Sequence, residues 1–72
     1  MDKVTFTVRG VVAGQLHELT MNYPRSCWDG VSAHDRNELQ NICRGRVSGW
    51  AYKEYGAPLT DEEYAALTVT AD

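Results

Sequence analysis

The stretch ICRGRVSGWAYKEYG, Ile42 to Gly56, decides the fold because it admits two incompatible readings. Arg44, Arg46 and Lys53, interleaved with Trp50, Tyr52 and Tyr55 and loosened by Gly45 and Gly49, have the composition of a flexible basic and aromatic arm. The same residues can also be the second half of one long amphipathic helix. At about 100° per residue, counting from Leu39, Trp50 falls near 20°, Cys43 near 40°, Val47 near 80° and Ile42 near 300°. These positions share an apolar face, and Asn37, Gln40, Asn41, Arg44 and Ser48 take the opposite side. An unstructured arm has no reason to keep the phase of the residues before it, so the spacing predicts a helix over 33–55. Ser32 is its expected N-cap, Asp35 adds negative charge beside the first-turn amides, and Gly56 is the expected C-cap. Gly45 and Gly49 each cost about 1 kcal/mol relative to alanine inside a helix, so a kink, or a stop at Arg44, is the competing outcome.

Upstream, VTFTVRGVVAGQLHELTMNY alternates apolar and polar residues on both sides of Ala13-Gly14, the pattern of two half-buried strands joined by a short turn. A hairpin over 3–23 has a definite register. Val4 faces Tyr23, Phe6 faces Met21 and Val8 faces Leu19 on one side, while Thr7 faces Thr20 and Arg9 faces Glu18 on the other. A slip of one residue would turn the apolar set to the wrong face. Pro24 and Asp29-Gly30 mark a connection to the helix.

Downstream, Leu59-Thr60-Asp61-Glu62-Glu63-Tyr64 is a helix start, with Thr60 as cap and Glu63 completing a capping box. A short helix over 61–67 is expected to fold back on the long one, followed by a loose tail over 68–72, in which Thr68-Val69-Thr70 has the alternation to add to a hairpin edge. The expected fold is therefore α+β, in the order β-β-α-α, as one domain spanning 1–72. Its core is expected to join Val4, Phe6, Val8, Leu19, Met21 and Tyr23 to Leu39, Ile42, Cys43, Val47 and Trp50. Tyr52 and Tyr55 fall on the polar face with Arg44, and Arg46 lies inside the apolar face with its charge reaching the rim.

Composition narrows the function classes. The hydrophobic fraction of 43% and charged fraction of 24% are those of an ordinary globular chain, and no apolar run is long enough for a membrane span. No basic and apolar leader opens the sequence, so a cytoplasmic setting is expected. Net charge is −3, with five of the seven cations between Arg25 and Lys53, which falls short of a polybasic footprint for nucleic acid.

Chemistry-bearing motifs are sparse. Cys27, Cys43, His17 and His34 lack the spacing of a zinc site, and no glycine loop for phosphate stands between a strand and a helix. No metal, cofactor or catalytic residue is expected, and the two cysteines are expected as free thiols. Binding remains. Tyrosine and arginine are frequent anchors of interfaces, so Arg44, Tyr52 and Tyr55 are candidate partner-binding residues, joined by Val11 and Leu16, a surplus apolar pair at the hairpin tip on its polar face. The expected function is a small non-catalytic module that binds a protein, as a regulator or inhibitor of a larger protein, of a size that suits a phage or mobile-element accessory protein. The alternative is a nucleic-acid binder using Arg25, Arg36, Arg44, Arg46 and Lys53 for phosphates and the tyrosines for stacking. Unpaired hairpin edges and a core near the lower size limit also point to a homodimer.

Overall fold

Alternation of apolar and polar side chains folds the first third of the chain into an antiparallel hairpin. In the computed structural model, which describes residues 2–72, strands β1 (Lys3–Val12) and β2 (Gln15–Pro24) pair in the register expected from the sequence. Val4 lies opposite Tyr23, Phe6 opposite Met21, Val8 opposite Leu19, Thr7 opposite Thr20 and Arg9 opposite Glu18. Ala13 and Gly14 form a two-residue loop with φ of 52° and 80°, the double positive φ of a type I′ turn. Ala13 carries a Cβ, so its left-handed backbone costs roughly 1–2 kcal/mol that glycine would avoid.

The quoted stretch is helix. Helix α1 (Ala33–Tyr55) runs unbroken through Gly45 and Gly49. Ser32 Oγ accepts the Asp35 amide at 3.2 Å, and Gly56, at φ 77°, ends the helix with its amide donating to the Tyr52 carbonyl at 2.9 Å. The buried residues of α1 are Leu39, Cys43, Val47 and Ala51, one every fourth position. Each step of four advances about 400°, so the contact line turns by about 40° per step and the helix crosses the sheet obliquely. A wheel superimposes all turns on one direction, which is why two core expectations change. Ile42 is 53% exposed, and Trp50 is only half-buried at the margin of the core.

Helix α2 (Asp61–Ala66) has the capping box, in which Thr60 Oγ1 accepts the Glu63 amide at 3.1 Å and Glu63 Oε1 accepts the Thr60 amide at 2.8 Å. It stops one residue before the expected end, because Leu67 is already extended at φ −64°, ψ 135°. The expectation of a loose tail over 68–72 is corrected: strand β3 (Thr68–Ala71) pairs antiparallel with β1, with Thr68 opposite Arg9, Thr70 opposite Thr7 and Ala71 opposite Phe6. The sheet order is β2-β1-β3, and the fold is β-β-α-α-β. The cause lies at Gly10. A Cβ there would stand 2.5 Å from Leu67 Cδ2, so the missing side chain is the space that buried Leu67 fills, and Leu67 delivers the next residues to the edge of β1.

The core lies between the even-numbered face of β1 and the helices. Val4, Phe6, Val8, Leu39, Cys43, Val47 and Leu67 form one cluster. Trp28 closes it from the connection, edge-on to Phe6 at 5.0 Å, and Arg36 fastens Trp28 to α1 by donating from Nε to the Trp28 carbonyl at 2.9 Å with its guanidinium 4.6 Å from the ring. The odd-numbered face is uncovered and polar, carrying the Arg9–Glu18 ion pair at 3.0 Å and a hydrogen bond from Thr5 Oγ1 to Asn22 Oδ1 at 2.8 Å. Among the described residues, no helix is long and apolar enough to cross a membrane.

These glycines behave oppositely on substitution. Gly10→Val overpacks against Leu67 and should lower stability by about 1–3 kcal/mol. Gly45 and Gly49 have nothing within 4 Å of a built Cβ, so Gly45→Ala and Gly49→Ala should each raise stability by about 1 kcal/mol. Urea denaturation of the three variants checks both signs; a stabilised Gly10→Val would mean that Leu67 does not occupy that space.

Candidate interaction surface

The hairpin register decides where the candidate binding residues go. Val11 and Leu16 are opposite each other on the uncovered face, one pair back from the turn, and are 51% and 65% exposed. Odd parity in β1 places Val11 away from the core, and pairing carries Leu16 with it. No helix covers that face, so two branched apolar side chains stand side by side in solvent.

On the covered side of the same end, α1 brings three rings together. His17, opposite Gly10, packs edge-on to Trp50 with centroids 4.9 Å apart, and its Nε2 is 2.9 Å from the Tyr55 hydroxyl. Tyr55 in turn stands perpendicular to Trp50 at 5.9 Å. The expectation that Tyr55 points away from the sheet is corrected. Tyr55 is the next fourth residue after Leu39, Cys43, Val47 and Ala51, so the turning contact line carries it onto the hairpin, leaving it 44% exposed. Tyr52, one turn earlier and off that line, is 62% exposed.

Arg44 does not join this group. It lies eleven residues before Tyr55, about 16 Å along the helix axis. Its Nη1 donates to Asn41 Oδ1 at 2.9 Å, and Tyr64 of α2 donates from its hydroxyl to the Asn41 carbonyl at 3.3 Å. Arg46 is exposed at the rim and donates to the Tyr23 hydroxyl at 3.0 Å, so its charge stays in water while it covers the Tyr23 ring.

Between the turn and the end of α1 lies a cavity of about 250 Å³ lined by Val12, Ala13, Ala51, Tyr55, Ala57, Pro58, Thr60 and Glu63. Glu63 is the residue that sequence reasoning placed only in the capping box. Its second carboxylate oxygen, Oε2, accepts the Ala13 amide at 3.1 Å, so one side chain caps α2 and also anchors the strained hairpin turn. No local sequence signal pairs residues so far apart. The Thr60 and Ala13 amides hold the Glu63 carboxyl below its usual value.

At the other end, Arg25 joins Asp29 at 3.4 Å and Asp72 at 3.3 Å beside a cleft lined by Asp2, Pro24, Arg25, Ser26 and Asp29. Cys27 is exposed and Cys43 is buried, with both thiols free. Burial pushes the Cys43 thiol up despite the opposing charges of Arg46 and Arg44, which keeps it protonated and poorly nucleophilic. Among the described residues, no three His, Cys, Asp or Glu side chains are grouped to hold a metal ion.

The depressed Glu63 carboxyl makes a pH prediction. A carboxyl whose value is lower in the folded state contributes stability that is present above the unfolded value, about 4.5, and is lost as pH falls through the folded value. Glu63→Gln should therefore reduce the slope of stability against pH below 4.5 and leave the slope near neutrality unchanged. Thermal unfolding of both proteins across the acid range checks it, and parallel curves would show that the two amide contacts do not depend on the charge.

Comparison with known proteins gives no match for this chain among protein families, curated proteins or solved structures.

Proposed function

We propose that this chain is a small, non-catalytic protein-interaction module that meets its partner with the hairpin tip and the adjoining end of α1. The observation that carries the reading is the exposure of Val11 and Leu16 side by side on the uncovered face at the hairpin tip, with Tyr52 exposed on the adjoining end of α1. Large apolar and aromatic side chains left in water at one place are what a desolvated contact uses, and tyrosine brings much area with little conformational entropy to lose. Leu16 lies on the opposite face of the hairpin from its neighbour His17, which holds Tyr55, and Tyr55 is one turn from Tyr52, so a partner that reaches both sides wraps the end of the hairpin. A regulator or inhibitor of a larger protein is the role this reading assigns.

Arg44, too far away to share the contact, acts in this reading through long-range charge on the rate of association. The other arginines support a protein partner over a nucleic acid. Arg9 and Arg25 are in ion pairs, Arg36 is engaged by Trp28 and Arg46 by Tyr23, so no row of free guanidinium groups follows one groove.

Affinity capture with the tagged protein, with and without nuclease, tests the class of partner: a protein retained after nuclease is expected, and loss of all material on nuclease treatment would favour the nucleic-acid alternative. With the partner in hand, Tyr52→Ala and Leu16→Ala should each weaken binding by about 2 kcal/mol and leave fold stability within about 0.5 kcal/mol. Tyr55→Ala should lower both, since Tyr55 also holds His17 and Trp50. Binding that survives the Tyr52 and Leu16 substitutions would place the contact elsewhere.

A further inference from the structure

Strand β2 is ten residues long, bonds only to β1, and leaves its other side open. The turn determines which groups face outward. A two-residue loop makes Val12 and Gln15 a mutually bonded pair, and bonded and unbonded pairs alternate along an antiparallel ladder. Gln15, His17, Leu19, Met21 and Tyr23 therefore direct their backbone groups at β1. Leu16, Glu18, Thr20 and Asn22, all exposed, direct theirs away from it. The same parity holds on the far side of β1, where the odd-numbered Thr5 accepts the Asp72 amide at 3.1 Å. The open edge of β3 is much shorter, four residues with only Val69 and Ala71 directed outward.

Edges of this kind are ordinarily blunted by a bulge, by lysine, by proline within the strand or by brevity. The ladder of β2 is continuous, its only proline is the last residue, and its only charge, Glu18, is held by Arg9 on the uncovered face. On the covered face, Leu19, Met21 and Tyr23 remain half-buried at the margin of the core.

We propose that β2 pairs antiparallel with β2 of a second copy about a two-fold axis, joining two sheets into one of six strands with Leu19 opposite the partner's Leu19. Outward residues must meet outward residues, which leaves few registers. One would set Glu18 against the partner's Glu18, a like-charge contact that destabilises a sheet. Another would set Leu16 against the partner's Pro24, which has no amide to give. The Leu19-centred register matches all four outward residues, Leu16 with the partner's Asn22 and Glu18 with the partner's Thr20, each twice by symmetry, for about eight hydrogen bonds. It opposes no like charges. On the covered face it sets leucine on leucine and His17 on the partner's Met21, so the half-buried margin of each core is closed by the other. This self-complementarity favours a second copy over a foreign strand, and a two-fold contact closes without further growth. The pairing shares only Leu16 with the proposed partner contact, and engages it through its backbone while its side chain stays on the uncovered face; Val11 and Tyr52 remain outside the pairing, and the dimer carries two such tips at opposite ends.

Sedimentation of the full chain across the micromolar range should give a species of twice the 8.1 kDa chain mass. Thr20→Pro removes an amide that points outward and leaves the β1 ladder intact, so it should keep the circular dichroism of the native chain while weakening the dimer at least about tenfold. Cross-linking reads the register without relying on that variant. In a Cys27→Ser background, Leu19→Cys should oxidise readily to a covalent dimer, since the unbonded pair has Cα atoms about 4.5 Å apart, whereas Thr20→Cys, opposite the partner's Glu18, should not. A monomer at all concentrations, a dimer indifferent to Thr20→Pro, or readier cross-linking of the Thr20→Cys variant than of the Leu19→Cys variant would each overturn the proposal.

Discussion

The absence of a side chain at Gly10 is the constraint on which the closed fold depends. It opens a space on the covered face of the central strand into which Leu67 fits, and Leu67 is both the residue that ends α2 and the residue that begins the run into β3. Filling that space therefore places a helix and a strand at once. With Leu67 seated, Thr68 is opposite Arg9 and the remaining pairs of β3 follow in order. Without it, β1 would keep an open edge and the core would lose one of its buried residues. A chain of 72 residues has little surplus burial to absorb that loss.

Elements specified by local pattern were legible in the sequence. The hairpin register followed from alternation because a single slip would have exposed every apolar side chain, and α1 followed from phase because Gly45 and Gly49, facing open space, penalise the helix without obstructing it. Elements specified by remote partners were not. Strand β3 has only four residues, and its alternation acquires meaning only against the edge of β1. The same holds for the proposed contact residues. Val11, Leu16 and Tyr52 could be placed in solvent from parity and phase, but Tyr55 could not, because a fixed wheel hides the turning of the line from Leu39 through Ala51. The fourfold spacing of Leu39, Cys43, Val47, Ala51 and Tyr55 was the signal that could have found it.

Glu63 shows how the two ends of the chain are tied. The turn at Ala13-Gly14 holds a non-glycine residue at positive φ, an arrangement that a hairpin alone tolerates poorly. The carboxylate that begins α2 binds the amide of that residue, so the strained turn is held by the capping of a helix fifty residues later. The aromatic contacts of His17, Trp50 and Tyr55 reinforce the same junction from the helix side. The exposed apolar residues thus project from a part of the molecule that is anchored by three elements.

Because β1 is central, its backbone reports on two different closures. Its even-numbered amides face β2 and become protected when the hairpin forms, a local event between neighbouring segments. Its odd-numbered amides, at Thr7 and Arg9, are held by β3, and the Thr5 amide by the Asp72 side chain, so they become protected only when the end of the chain docks. Release of β3 alone would leave the hairpin intact and let hydrogen exchange proceed at every second residue. The central strand would then carry two protection levels in alternation, one for each partner, and the lower of the two would equal the free energy with which the last strand holds the sheet shut.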